Sequence, residues 1–140
     1  MDAQVRDTSQ RAQSLGYDGG LHCDLRVTNL ERAIDWYTDV LVFSIIHHVP
    51  ENGWAELQTP VAQVRVGLTE VERMPPAGGG AVLTFNVRDI DAARANLETR
   101  NDVRFDGETC TIEGWVRLAT IYDPDGNVLM LAQSLSPPVA

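Results

Sequence analysis

The first half of the chain has short segments in which apolar and polar residues alternate, and one longer segment with apolar residues at helical spacing. The alternating segments predict β-strands at residues 21–27, 43–49, 54–59 and 63–68. Between the first two strands the apolar residues recur every three or four positions, which predicts an amphipathic helix with Thr28 or Asn29 as its N-cap. The helical apolar positions are Leu30, Ala33, Ile34, Tyr37 and Leu41. This half therefore has the element order βαβββ.

The second half repeats this order. A strand at residues 81–87 precedes a helix in the segment 88–100, in which Ile90, Ala93 and Leu97 form one apolar stripe. Three further strands are predicted at residues 103–105, 115–122 and 128–133, the last two joined by the turn sequence DPDGN.

Polar and Pro/Gly-rich segments divide the chain into regions. Residues 1–19 are polar without sustained periodicity and predict a flexible or locally helical arm. Residues 72–80, which include two prolines and three glycines, predict an exposed connector between the modules 20–71 and 81–134. Residues 135–140 form a C-terminal tail.

An offset of 60 residues aligns the two strand-to-helix junctions. Asn29 matches Asp89 as a potential N-cap, and Leu30 matches Ile90 as the first buried helical residue. Val27 and Ala33 likewise match Val87 and Ala93. Because the order of elements also matches, the pattern favours an internal duplication over two unrelated junctions.

Charge restricts the classes of partner. The chain of 140 residues has 11 basic and 20 acidic residues and a formal net charge of −9. Repulsion disfavours binding to nucleic acid or to an anionic membrane surface. We therefore expect a small molecule or another protein as partner.

Targeting segments and the spacing of the cysteines indicate the cellular compartment to expect. No segment resembles a signal peptide or reaches the roughly 20 apolar residues of a membrane span. Cys23 and Cys110 lie far apart without a C-x-x-C motif, which favours two reduced thiols. A cytoplasmic protein is the expectation.

The sequence resembles the vicinal oxygen chelate superfamily, which includes glyoxalase I, extradiol dioxygenases and bleomycin-resistance-type proteins. The resemblance rests on LHCDLRVTNLERAIDWYTDVLVF at the head of the tandem repeat and on IYDPDGNVLMLAQ at its end, and it covers roughly residues 20–134. It implies an α+β fold in which tandem βαβββ modules form a cupped mixed β-sheet with the helices outside. In catalytic members of the family this cup holds one divalent metal ion.

The resemblance also indicates where metal ligands would lie. The first position falls on His22, which is a competent ligand, but the others fall on Gly67, Val82 and Met130. A shift of two residues would place Arg65 at the second position, and an arginine does not bind a cation. Since divalent metals of this class need oxygen and nitrogen donors, the usual site is predicted to be absent, and no cofactor is expected.

A relocated divalent-metal site is the alternative. It would consist of His22, Glu56 and either His47 or His48, because neighbouring strand residues point to opposite faces.

Alternation along the strands predicts the residues that line the cup. His22, Asp24 and Arg26 share one face of the first strand, and Trp54, Glu56 and Gln58 share one face of the third. With Arg65 and Met130 they form the predicted ligand-binding set. In glyoxalase I the position of Arg26 helps to hold a carboxylate of the substrate, so the resemblance implies that Arg26 binds an acidic group. An ion pair of Arg26 with Asp24 or Glu56 is the alternative.

The remaining aromatic residues are assigned by position. Tyr37 is predicted to pack in the core, Trp36 to lie at an interface or rim, and Trp115 to belong to the cup wall or the core. Valine at position 42, where the family often has glycine, predicts a helix that ends without a left-handed glycine cap.

Two function classes follow. The first is a binding or sequestering protein of the bleomycin-resistance type, which uses the cup without a metal. The second is a lyase or isomerase in which His22 and Glu56 act as an acid/base pair. Open strand edges and the resemblance both predict a homodimer.

Overall fold

The computed structural model describes residues 8–10, 13–14, 16, 18, 20–75 and 82–135. Most of the predicted arm, part of the predicted connector and most of the C-terminal tail therefore lie outside the described residues. In the first module the elements are β1 (Leu21–Val27), α1 (Leu30–Asp39), β2 (Ser44–Val49), a 3-10 turn (Pro50–Asn52), β3 (Trp54–Gln58) and β4 (Val64–Glu70). In the second module they are β5 (Leu83–Asn86), α2 (Ile90–Glu98), β6 (Arg104–Phe105), β7 (Cys110–Ile112), β8 (Val116–Tyr122) and β9 (Val128–Ser134).

The strands form two mixed sheets, one in each module. Sheet 1 has the order β1-β4-β3-β2, in which β1 and β4 are parallel and the other pairs antiparallel. Sheet 2 has the order β5-β9-β8-β6, again with a parallel first pair. The predicted α+β architecture and its duplication are confirmed.

Sheet 2 has one strand that the sequence did not predict. Strands β6 and β7 both pair with β8, at opposite ends of it, and together occupy the place that β2 has in sheet 1. The short β7 was missed because its segment is polar and all three of its residues are exposed, so no hydrophobic pattern marks it.

Helices α1 and α2 begin in the same way. Asn29 is the N-cap of α1 and accepts a hydrogen bond from the Arg32 backbone, and Asp89 does the same for Ala92 in α2. Asn29, rather than Thr28, is therefore the cap. A second acceptor comes from the end of the last strand of each module, where Glu70 and Gln133 bind the first helical backbone N–H groups. The internal duplication thus extends to individual hydrogen bonds, although the offset between Glu70 and Gln133 is 63 residues.

Helix α1 and the DPDGN turn join the two modules. The Tyr37 hydroxyl donates to the buried carboxylate of Asp123 at 2.8 Å, and Arg32 donates to Asp125 at 2.9 Å. Burial, and after it the negative charge of Asp123, raises the pKa of Tyr37 well above its usual value. The rings of Phe43 and Phe85 add an apolar contact between the modules, with centroids 5.8 Å apart.

The structure removes one of the two alternatives that the sequence left for each of two tryptophans. Trp36 is only 5% exposed, and its indole N–H donates to the Asp102 carbonyl, so it belongs to the junction between the modules rather than to a rim. Trp115 is 71% exposed at the β7–β8 turn, so it lies outside the core. Tyr37, by contrast, is fully buried as predicted.

Two further expectations concern the cysteines and the membrane. Cys23 and Cys110 are both free thiols. Within the described part of the chain, no helix has the length and hydropathy needed to cross a membrane.

Val42 turns the chain from α1 into β2. Its φ of 61° lies in the left-handed region, which a β-branched residue adopts only under strain. Helix α1 itself ends in the right-handed conformation at Val40. The helix therefore ends without a left-handed glycine cap, as predicted, and the left-handed residue that follows it is a valine.

Replacing Val42 with glycine should stabilise the protein. The substitution removes strain of about 1–3 kcal/mol, part of which is offset by the greater freedom of glycine in the unfolded chain. Because Val42 is 73% exposed, little burial is lost. We expect Val42→Gly to raise Tm by about 2–5 °C in thermal unfolding followed by circular dichroism.

A matched control is Val61→Gly, at an exposed loop position outside the left-handed region. This control should leave Tm unchanged or lower it. A lower Tm in Val42→Gly would show that Val42 is not strained.

Candidate functional site

Sheet 1 has one apolar and one polar face. Ala55 and Leu57 of β3 point into the core that α1 covers, whereas Trp54, Glu56 and Gln58 alternate to the opposite side. We call this opposite side, with its residues on β1, β2 and β4, the polar face. The predicted alternation of β3 is thus the alternation in the structure.

Glu56 lies at the centre of the polar face with its side chain only 11% exposed. Its Oε2 atom is 2.9 Å from Nδ1 of His22 and 4.0 Å from NH1 of Arg65, and its Oε1 atom is 3.9 Å from Nε2 of His47. Strand register produces this arrangement, because His47 lies opposite Glu56 on β2 and His22 lies opposite Arg65 on the β1–β4 ladder. The nearly buried carboxylate thus has one hydrogen bond and two further donors close by.

The contact with Glu56 fixes the chemistry of His22. A carboxylate accepts hydrogen bonds, so Nδ1 of His22 is the protonated nitrogen that donates to Glu56. In a neutral ring Nε2 then has a free lone pair, and the His22 side chain is 40% exposed. His22 is therefore oriented to accept a hydrogen bond or a proton from a molecule on the polar face.

Asp24 is held next to this pair. Both of its carboxylate oxygens accept from the Thr69 hydroxyl, at 2.8 and 3.0 Å. Between Asp24 on β1 and Glu56 on β3, the middle strand β4 has Gly67, whose missing side chain makes room for the side chains of Asp24 and His22 above it. Asp24 makes no ion pair among the described residues.

The two adjacent histidines lie on opposite faces. His47 is on the polar face beside Glu56, and its ring is stacked on Trp54 with centroids 6.4 Å apart. His48 points toward α1, where its Nε2 is 2.8 Å from the Glu31 carboxylate. A register shift between Ile45 and His47 interrupts the alternation of β2, which is why the sequence left this assignment open.

The other predicted ligand-binding residues have varied surroundings. Arg26 is exposed, and its guanidinium forms no ion pair within the described residues, so the alternative pairing with Asp24 or Glu56 is not present. Gln58 donates to the Thr59 and Val64 carbonyls at the end of the hairpin. Met130 lies on β9 of sheet 2, opposite Thr84 and Thr120, and so belongs to the other module.

The chemistry of the family's metal positions does not suit a divalent ion here. Of the four positions only His22 is a nitrogen or oxygen donor, because Gly67 has no side chain and Val82 is aliphatic. Met130 offers only a thioether.

The relocated alternative does not supply a ligand set either. Among the residues that the structure describes, no three His, Cys, Asp or Glu side chains converge as a metal site requires. In the cluster of His22, Glu56 and His47, the Arg65 guanidinium lies 4.0 Å from the shared carboxylate and adds positive charge where a cation would have to bind.

Three cavities lie away from this cluster. The largest, about 720 Å³, runs between α1 and the end of β8 and includes Trp36 and Tyr122. Two apolar cavities of about 510 and 590 Å³ lie between the modules, and both include Val61 and Phe85. None of these three cavities is lined by Glu56 or His22. On the polar face, the side chains of His22, Arg65 and His47 are 40%, 52% and 61% exposed.

The sequence did not reveal the roles of two residues on β4. Gly67 and Thr69 follow Arg65 at alternate positions, so they face the same way, and this alternation was the available signal. A glycine between two strand residues gives no sign of which side chains lie over it. That information comes only from the pairing of β4 with β1.

Comparisons with known proteins agree on one family. A family model described as Glyoxalase/Bleomycin resistance protein/Dioxygenase superfamily matches residues 20–131. No curated protein matches the chain significantly.

Several solved structures are similar. A glyoxalase/bleomycin resistance protein from Streptomyces sp. CB03234 is 30% identical with a TM-score of 0.63, over 82% of this chain and 100% of that one. TnmS3, an antibiotic binding protein from the same strain, is 29% identical with a TM-score of 0.68, over 85% of this chain and 98% of that one. A superfamily member from Sphaerobacter thermophilus DSM 20745 is 25% identical with a TM-score of 0.70, over 84% of this chain and 98% of that one.

The His22–Glu56 contact predicts a specific tautomer. In nitrogen-15 NMR of the neutral imidazoles, we expect His22 to be protonated at Nδ1, because Glu56 accepts there. His48 is an internal control and should be protonated at Nε2, the atom that contacts Glu31. Glu56→Leu should remove the preference of His22 and leave that of His48. A His22 protonated at Nε2 in the unmodified protein would contradict the geometry.

Proposed function

Since the chain belongs to the glyoxalase/bleomycin resistance protein/dioxygenase superfamily, we propose that it binds a small organic molecule on the polar face of sheet 1. The observation that carries this proposal is the cluster around Glu56, in which His22, His47 and Arg65 surround one nearly buried carboxylate. Such a cluster supplies directional polar contacts, and the residues at the family's metal positions do not suit a metal ion. Binding or sequestration, rather than glyoxalase I chemistry, is the function that these residues support.

The similarity to an antibiotic binding protein is consistent with this proposal. TnmS3 is 29% identical to this chain over 98% of the length of TnmS3, and it is described as an antibiotic binding protein. For the present chain this supports a ligand-binding role and says nothing about the identity of the ligand.

The polar face favours a ligand with an aromatic or apolar part and an acidic group. The Trp54 ring, stacked on His47, offers a flat apolar surface. The guanidinium groups of Arg26 and Arg65 supply positive charge in a chain of net charge −9. Met130 would contact the same ligand only where the face of sheet 2 meets the polar face, within one chain or across a dimer.

A homodimer would complete this site. The donors around Glu56 are 40–61% exposed, and β1 and β2 are the outer strands of sheet 1. A second chain that covers this face would bury the ligand and protect the strand edges. A single-chain mass in light scattering would contradict this part of the proposal.

An acid/base enzyme is the second candidate, and the His22–Glu56 hydrogen bond of 2.9 Å is the observation that favours it. A carboxylate that holds Nδ1–H leaves Nε2 available as a base for an acidic C–H bond. Such an enzyme would catalyse solvent-deuterium incorporation into a bound carbon acid. Incorporation that persists in His22→Gln would contradict the role of His22 as the base.

Arg65→Gln should weaken the binding of carboxylate ligands. As a probe we choose 4-methylbenzoate, which presents a ring to Trp54 and a carboxylate to Arg65. Loss of one charge-assisted hydrogen bond should lower the affinity about tenfold, as measured by NMR titration of the isotope-labelled protein.

The matched control is Arg73→Gln, which removes the same charge from an exposed position outside sheet 1. An equal loss of affinity in both variants would show that only the net charge matters, and the carboxylate would then have no specific site at Arg65.

A further inference from the structure

Gly67 has no backbone reason to be glycine. It lies in β4, an inner strand of sheet 1, and its φ is outside the left-handed region. Glycine in the middle of a strand weakens a sheet, because it has no side chain to pack and loses more conformational freedom on folding. The requirement for glycine must therefore come from what lies above it.

Two side chains from β1 occupy the space above Gly67. A Cβ atom at this position would lie 2.5 Å from Oδ1 of Asp24 and 2.7 Å from Nε2 of His22. Both distances are shorter than real Cβ contacts, so any other residue would push these side chains away. Gly67 thus allows one carboxylate oxygen and one imidazole nitrogen to converge over β4. We call the space between these two atoms, on the side away from the Gly67 backbone, the hollow.

Both atoms that border the hollow are hydrogen-bond acceptors. Asp24 has the Thr69 hydroxyl as a partner but makes no ion pair within the described residues. His22 uses Nδ1 to contact Glu56, which leaves the Nε2 lone pair facing the hollow. An acceptor pair that includes an uncompensated carboxylate favours a positively charged donor.

We propose that the hollow above Gly67 binds a primary ammonium group of the ligand, with Asp24 and His22 as its acceptors. An ammonium has three N–H donors, so it can contact both atoms at once. The assignment rests on the proposed function of the polar face and adds a second determinant to it. Arg65 binds the acidic end of the ligand and the hollow binds the amine, so the ligand is a zwitterion.

The test compares two probes that differ only in the amine. 4-(Aminomethyl)benzoate and 4-methylbenzoate share the ring and the carboxylate, and only the first has an ammonium group. NMR titration of the labelled full-length protein should show that the aminomethyl probe binds about tenfold more tightly, with shifts at His22 and Asp24.

Gly67→Ala tests the hollow itself. The added methyl group meets only the ends of two side chains, which can move, so the variant should fold with a Tm close to that of the unmodified protein. The tenfold preference should fall to about one. Gly20→Ala is the matched control, since it also lies outside the left-handed region and away from the hollow, and it should keep the preference.

The outcomes distinguish a failure of the ammonium subsite from a failure of the proposed function of the polar face. Equal affinities of the two probes in the unmodified protein, with shifts on the polar face, would overturn the ammonium assignment and leave the binding function intact. A preference that survives in Gly67→Ala would also overturn the assignment. If neither probe shifted any residue of the polar face, both the subsite and the proposed function would be contradicted.

Discussion

A nearly buried carboxylate on the face of sheet 1 opposite α1 is the constraint from which the site follows. Transfer of the Glu56 charge out of water is unfavourable unless donors compensate it, and the strand register places three donors around it. One of them, His22, becomes oriented as a result, with its second nitrogen directed away from Glu56. Compensation of the Glu56 charge thus orients the His22 ring, which is the group best placed to contact a ligand.

The two faces of sheet 1 have different roles, since one packs in the core and the other has the polar residues of the site. The core face packs Ala55, Leu57, Val66 and Leu68 under α1, and the same helix is tied to the second module through Tyr37 and Asp123. The polar face contains features that do not help folding, such as Gly67 in an inner strand and Arg26, which makes no ion pair with the residues that the structure describes. Proteins retain such features where a function requires them, because selection maintains stability only above a threshold.

The sequence predicted most of the fold because the fold depends on local patterns. Alternation located β1, β3 and β4 with small errors at their ends, and the spacing of apolar residues located both helices. Where packing is weak the prediction failed, as for the exposed strand β7. The bulge in β2 could not be predicted either, since nothing in the residues around Ile46 marks the extra residue.

The site was predictable in its residues but not in its contacts. Alternation placed His22 and Glu56 on one face, yet only the pairing of β4 with both β1 and β3 shows that these two side chains meet. Gly67 and Thr69 act through neighbours that are more than 40 residues away in sequence, so no local pattern reports their roles. The position of Trp36 was left open between an interface and a rim for the same reason, because its partner Asp102 belongs to the other module.

The most direct test of the account is a map of amide chemical shifts as the labelled protein is titrated with 4-methylbenzoate. If the ligand binds on the polar face, the largest shifts should fall on β3 and β4 around Glu56 and Arg65, together with His22 of β1. Shifts confined to residues that line the cavities between the modules, such as Phe43, Phe85 and Val61, would place the ligand elsewhere and contradict the central claim.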